Sequence, residues 1–253
     1  VDRVRTPATL PLPARRDAPS SILPATGVDW RRQFAWPLLA AAGAILLLNL
    51  LHGDTWLADR LYALQGGAWT LRQHPLTEGL VHRGGRLLGL VAWLLVLAAW
   101  VASDMRPAWR RWRGPLARLA LSVLLSTLLV AVLKRWLQVD CPWDLARYGG
   151  QLPWVSLLTP RPGGLPAAHC FPAAHAGIGF AWVALYFCLR SVAPRWRLAG
   201  LAAGIGLGAV FGLSQQLRGA HFLSHDIASL VLCWSVAVAV HALWPAARGG
   251  ATP

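Results

Sequence analysis

Six stretches with almost no charge, at residues 34–51, 87–103, 119–133, 176–193, 198–217 and 227–244, constrain this chain more than any other feature. A bilayer-spanning helix needs about 20 largely apolar residues, and the shorter stretches reach that length by borrowing flanking Trp and Arg anchors. Any one stretch alone also fits a buried helix of a soluble protein. Six of them, in a chain that is 56% hydrophobic and only 13% charged, do not. The pattern predicts an all-α, polytopic membrane protein with six transmembrane helices. Its expected organisation is a disordered cytoplasmic tail over 1–33, one membrane domain over 34–245, and a short cytoplasmic tail over 246–253. The first thirty residues are rich in Pro, Ala and Arg with no apolar core before Phe34, which fits a tail better than a cleaved signal peptide. Between Thr55 and His82 the mixed pattern of Trp56, Leu57, Leu61, Leu64 and Trp69 suits a helix lying in the interface or capping the bundle.

A formal net charge of +14 raises the question of nucleic acid, but the arginines form no single basic surface interleaved with stacking aromatics. They sort by loop. Arg3, Arg5, Arg15, Arg16, Arg31 and Arg32 precede the first stretch; Arg106, Arg110, Arg111, Arg113 and Arg118 follow the second; Arg190, Arg195 and Arg197 follow the fourth. The positive-inside rule makes these segments cytoplasmic, together with both termini, and leaves 52–86, 134–175 and 218–226 outside. The partner implied is the bilayer, with no nucleic acid.

The histidines of two short passages fall on that outer side. Phe171-Pro172-Ala173-Ala174-His175 and Arg218-Gly219-Ala220-His221-Phe222-Leu223-Ser224-His225-Asp226 each place imidazole at the mouth of an apolar helix. Pro172 is suited to the first turn of a helix, which would leave the amides of Ala173, Ala174 and His175 free to attract an anion. His175 is then placed to protonate a departing alkoxide. His221 and His225 are four apart and share a helix face, with Arg218 one turn earlier and Asp226 just after. An imidazole whose second nitrogen is oriented by a neighbour is a competent nucleophile toward phosphorus, and a guanidinium holds phosphate oxygens bidentately. Lys134 is the one lysine among 24 basic side chains and ends the third stretch, either as an interfacial anchor or as a compact point charge for a phosphate. The competing reading is metal or haem held by these histidines with His169. Lys134 and Arg218 argue against it, since they repel a cation and stabilise an anion.

Cys188 and Cys233 lie inside apolar stretches and read as small packing residues. Cys141 and Cys170 share the long outer loop, an oxidising location, where a disulfide would close the loop onto the His175 passage. The bonded and free forms both stay open at this level.

The passages together resemble the type 2 phosphatidic acid phosphatase (PAP2) superfamily, over about residues 115–245. Its membrane members have six helices in a haloperoxidase-like bundle and a motif in three parts: Lys, six residues, Arg-Pro; Pro-Ser-Gly-His; and Ser-Arg, five residues, His, three residues, Asp. Here Lys134 is followed after six residues by Cys141-Pro142, with Cys141 in place of Arg. Pro172-Ala173-Ala174-His175 keeps the Pro and His, and Ser214-Gln215, five residues, His221, three residues, His225 keeps the spacing with Gln for Arg and His for Asp. The resemblance implies His221 as the nucleophile that becomes phosphohistidine, with His225 as nucleophile in a rival register. It implies His175 as general acid, Lys134 as phosphate ligand, and no metal or other cofactor. Arg218 is expected to replace the arginine missing at Gln215, and Arg135 or Arg147 the one missing at Cys141. His225 fills the orienting position, with Asp226 one residue on as its substitute. The expectation is a divergent bacterial inner-membrane enzyme that hydrolyses a lipid phosphomonoester or pyrophosphate at the extracytoplasmic face. The alternatives are a lipid-to-lipid phosphotransferase and a headgroup-binding protein of the same fold without catalysis.

Overall fold

The computed structural model describes residues 28–244, so the expected C-terminal tail and most of the N-terminal one lie outside the described residues. Helix α1 (Trp36–Leu50) is led by a π-helical turn at Arg31–Ala35. It therefore starts three residues earlier than the charge pattern suggested, since Arg31 and Arg32 continue the helix and Val28 is buried in the core. Helix α2 (Gly53–Leu64) follows after a left-handed turn at His52 and contacts α1 and the later helices. The expected capping helix thus covers only half of 55–82. The rest is a 3-10 turn at Thr70–Arg72 and a π-helical segment, Pro75–Gly84, that runs straight into α3 (Gly85–Met105). Helix α4 (Arg110–Leu137) comes next. Helices α5 (Ala174–Phe180) and α6 (Leu185–Val192) are joined by one 3-10 turn into a single span, and α7 (Arg197–Leu217) and α8 (Leu223–Leu243) complete the chain.

Six helical stretches, Arg31–Leu50, Thr70–Met105, Pro107–Asp144, Ala174–Val192, Pro194–Leu217 and Leu223–Leu243, are long and apolar enough to cross a membrane, and they match the six apolar runs of the sequence. Among the described residues there is no strand, only an isolated bridge between Leu145 and Leu152. Leu38, Leu39, Leu46 and Leu47 on α1, and Leu87, Leu88, Leu90, Leu94 and Leu95 on α3, are exposed. Large apolar side chains facing outward in this number fit hydrocarbon rather than water.

With little hydrophobic drive between helices in lipid, close backbone approach through small residues sets the packing. A Cβ on Gly208 of α7 would run into the Phe180 ring, and one on Gly179 would lie 2.5 Å from the Gly208 Cα, so α5 and α7 touch nearly backbone to backbone. The core between α4, α5, α6 and α8 gathers Leu119, Val123, Phe180, Phe187, Cys188, Cys233 and Val238. Helix alternation puts the start of α3, the end of α4, the start of α5, the end of α7 and the start of α8 at one end of the bundle. The arginine-bearing segments around 106–113 and 190–197 fall at the other.

The long segment between α4 and α5 folds over the first of these ends. Gln138 terminates α4 in a left-handed conformation (φ 50°), and its side-chain oxygen accepts from the Ala168 amide at 2.9 Å. Arg161 donates two hydrogen bonds to Asp140 at 2.7 and 3.2 Å, in a nearly buried pair. Cys141 and Cys170 are disulfide-bonded, with Cα atoms 5.3 Å apart.

Candidate active site

At this end of the bundle a cavity of about 680 Å³ is lined by Lys134 from α4, His175 from α5, Gln215 from α7, and Arg218 and His221 from the turn into α8. Residues far apart in sequence meet because helix ends alternate, and the disulfide brings both its cysteines into the same wall. Lys134, His175 and His221 are therefore brought together.

Helix α5 does not start at Pro172. Its first residue is Ala174, and the Ala173 amide donates to the His225 carbonyl at 3.2 Å. That bond uses one of the three amides expected to be free, leaving those of Ala174 and His175 without an acceptor inside the helix. The His175 ring stacks on Phe211 with centroids 4.5 Å apart and tilts against His82 at 4.6 Å. Its Nε2 lies 3.1 Å from the Val81 carbonyl, so the proton of the neutral ring sits there. Nδ1 is buried without a partner and is the atom left for proton exchange.

His221 is buried, and its Nδ1 lies 3.5 Å from Nδ1 of His225, which leaves Nε2 for chemistry. Burial, reinforced by His225 and Lys134, holds the His221 imidazole well below its usual range, so the ring is neutral and its lone pair available. His225 is 1% exposed, flanked edge-on by Phe171 and Phe222, and does not line the large cavity. It borders instead a separate void of about 20 Å³ beside Asp54. His225 thus sits behind His221, away from the large cavity.

Several expected ligands are elsewhere. Asp226 faces α7: Gln216 donates to it at 2.6 Å, and a Cβ on Gly212 would lie 2.5 Å from its Oδ2. One residue is a 100° turn of the helix, enough to carry its carboxylate away from His221. Arg147 donates to Asp59 at 2.7 and 2.5 Å, which holds the Asp59 carboxyl below its usual range, and it is outside the cavity wall. Arg135 is exposed and also absent from the wall. Arg218 lines the cavity, but its guanidinium is already engaged. It donates to the Arg72 carbonyl and to Gln215 Oε1, both at 2.9 Å, and forms an ion pair with Glu78. Arg218 thus frames the wall rather than offering a free cation.

Two lining residues escaped the sequence reading, His82 and Arg86. They are four apart, His82 near the end of the π-helical segment and Arg86 in the first turn of α3, and α3 is drawn in at its glycines. A Cβ on Gly85 would lie 2.7 Å from the Phe211 ring and 3.3 Å from His175 Cε1, and one on Gly89 would lie 2.5 Å from Ile178. Arg86 looks like an ordinary anchor at the mouth of an apolar run, so only the glycine spacing hinted at a close approach. Gln215 joins the two sets, donating to His82 Nδ1 at 2.9 Å while accepting from Arg218.

An apolar groove of about 290 Å³ between α3 and α4 adjoins the cavity, lined by Leu90, Trp93, Val123, Leu124 and Trp182 and sharing Arg86, Thr127 and Ile178 with it. A cationic cavity beside an apolar groove fits an anionic head on an apolar tail. Among the described residues no three His, Cys, Asp or Glu side chains are grouped as a metal-holding set.

No curated protein matches the chain. No solved structure matches it either. A sequence model of the PAP2 superfamily matches residues 115–248, more than half of the chain, a span that includes most of α4 and all of α5 to α8. That span contains Lys134, His175 and His221 in the order and on the helix ends described above, and the chain belongs to the PAP2 superfamily.

Proposed function

We propose that this protein is a membrane lipid phosphatase that hydrolyses a lipid phosphomonoester or pyrophosphate through a phosphohistidine on His221. Superfamily membership supports a phosphatase-type activity at the coarse level. The observation that carries the finer reading is the convergence of Lys134, His175 and His221 on one cavity that adjoins an apolar groove in the membrane-spanning bundle.

The steps follow from the atoms available. His221 Nε2 attacks phosphorus and the phosphorus–oxygen ester bond breaks, while His175, neutral with its proton on Nε2 until it takes a second proton at Nδ1 from solvent, gives that second proton to the departing alkoxide. The lipid alcohol leaves along the groove. Now neutral, His175 takes a proton from a water that attacks the phosphohistidine, and inorganic phosphate leaves with His221 restored. Lys134 offsets the negative charge throughout. His225 holds His221 through the Nδ1 pair, 3.5 Å apart; the mechanism requires the tautomers in which His221 Nδ1–H donates and the lone pair of His225 Nδ1 accepts. A neutral imidazole in that position orients the nucleophile but gives less charge stabilisation than a carboxylate would.

The positive-inside pattern of the loops supports a cavity on the extracytoplasmic face. A disulfide in the loop over it fits that side, and a bacterial inner membrane is the expected location. The test is phosphate release by purified protein from a panel of lipid phosphates with chelator present. Release by wild type and its loss in His175→Ala support the proposal; no release from any lipid phosphate refutes it.

A further inference from the structure

A bound phosphate dianion in this cavity calls for a guanidinium, and the obvious candidates are occupied or absent. The two arginine positions of the three-part motif hold Cys141, which is disulfide-bonded, and Gln215, which is hydrogen-bonded to His82 and Arg218. Arg218 is tied to Arg72, Gln215 and Glu78, and Arg135 and Arg147 are outside the wall. Among the cavity-lining residues described, the cationic side chains with no hydrogen-bond or ion-pair partner are Lys134 and Arg86.

We propose that Arg86, on α3 and outside the region that matches the family, supplies the guanidinium that grips the substrate's phosphate together with Lys134. The proposal rests on the phosphatase reading above. Three features of the structure point the same way. Gly85 and Gly89 let α3 close onto Phe211, His175 and Ile178, and that contact carries the neighbouring Arg86 to the wall. Arg86 also belongs to the apolar groove, so it stands where a lipid's phosphate meets its chain. Glu78, which neutralises Arg218, is the nearest acidic group on the same helical stretch, and its carboxylate is shared between Arg83 and Arg218 rather than directed to Arg86. Among the described residues, the one carboxylate lining the cavity is Asp144. Two unpaired cations against it leave an excess of positive charge for a dianionic phosphomonoester, and the planar fork of arginine matches two phosphate oxygens at once.

The competing role for Arg86 is an interfacial anchor that reaches lipid headgroups at the membrane surface. Binding of orthovanadate to the purified full-length protein in detergent separates the two without requiring turnover. Arg86→Ala is expected to weaken vanadate binding about 10- to 100-fold, the loss expected for charge-assisted hydrogen bonds to an anion. Arg86→Lys, which keeps the charge and loses the fork, should fall between, and Arg135→Ala should bind as wild type does. Arg86 is exposed, so its variants are expected to fold, and a thermal melt alongside verifies this. Vanadate binding unchanged in Arg86→Ala, or lost equally in Arg135→Ala, overturns the proposal, as does a wild-type protein that binds no vanadate. Turnover by wild type in the lipid panel together with unaltered vanadate binding by Arg86→Ala would sink this inference while leaving the phosphatase reading in place.

Discussion

Reduction of the Cys141–Cys170 bond gives a perturbation whose size follows from the chain. The bond joins residues 29 apart and sits where the loop between α4 and α5 covers the cavity. With the loop also fixed by Gln138 to Ala168, Arg161 to Asp140, and the Cys170 amide to the Val139 carbonyl at 3.0 Å, most native contacts survive reduction. The main loss is the constraint on the unfolded chain, about 3 to 4 kcal/mol for a loop of this length in the chain-entropy treatment. The assay counts thiols. Of the four cysteines, Cys188 and Cys233 are buried in the core, so native protein should be alkylated at none. Unfolding without reductant should expose two, and unfolding with reductant all four. The reduced protein should also melt several degrees lower. Four alkylated cysteines without reductant, or a melt indifferent to reductant, would refute the reasoning and with it the argument that this end faces an oxidising compartment.

Other outcomes follow from the same geometry. His225→Ala should lower turnover about 10- to 100-fold by freeing the His221 ring, and His225→Asp should recover most of it, because a carboxylate again accepts from Nδ1; equal loss in both variants would contradict an orienting role. Protonation removes the nucleophile, and His221 is held well below the usual imidazole range, so kcat/KM should not fall as pH is lowered through neutrality and should drop only in more acidic solution. An acid limb centred near 6.5, the ordinary value, would count against the buried, neutral ring. Asp54→Ala removes the carboxylate that accepts from the Ser224 amide at 2.9 Å at the start of α8, and should cost about 1 kcal/mol in stability, read by thermal melt. Arg147→Ala breaks only its pair with Asp59, so turnover should match wild type; a large loss would place Arg147 back among the phosphate ligands.

The six spans were legible because lipid demands long apolar helices, and no partner had to be known to see them. Lys134, His175 and His221 were legible as a set because each ends or begins an apolar run, so that helix alternation alone places them at one face. What the sequence hid depends on distant partners. Capture of Arg218 by Glu78 links residues 140 positions apart, and nothing near Arg218 announces it. Asp226 looked interchangeable with His225, but a single residue's rotation points it at Gly212 and Gln216. Arg86 and His82 lie outside the region that resembles the family, and their part in the wall arises from how closely Gly85 and Gly89 let α3 approach α5 and α7. The engagement of the Ala173 amide by the His225 carbonyl likewise comes from the docking of α5 on α8, not from any local pattern.

The most direct test of the central claim is to quench the reaction of purified protein with a lipid phosphate labelled on phosphorus and map the covalent label. The account predicts an acid-labile, alkali-stable phosphoenzyme on the peptide carrying His221, absent from His221→Ala, with that variant folded and inactive. Label on another residue, or phosphate release that persists in His221→Ala, would contradict it.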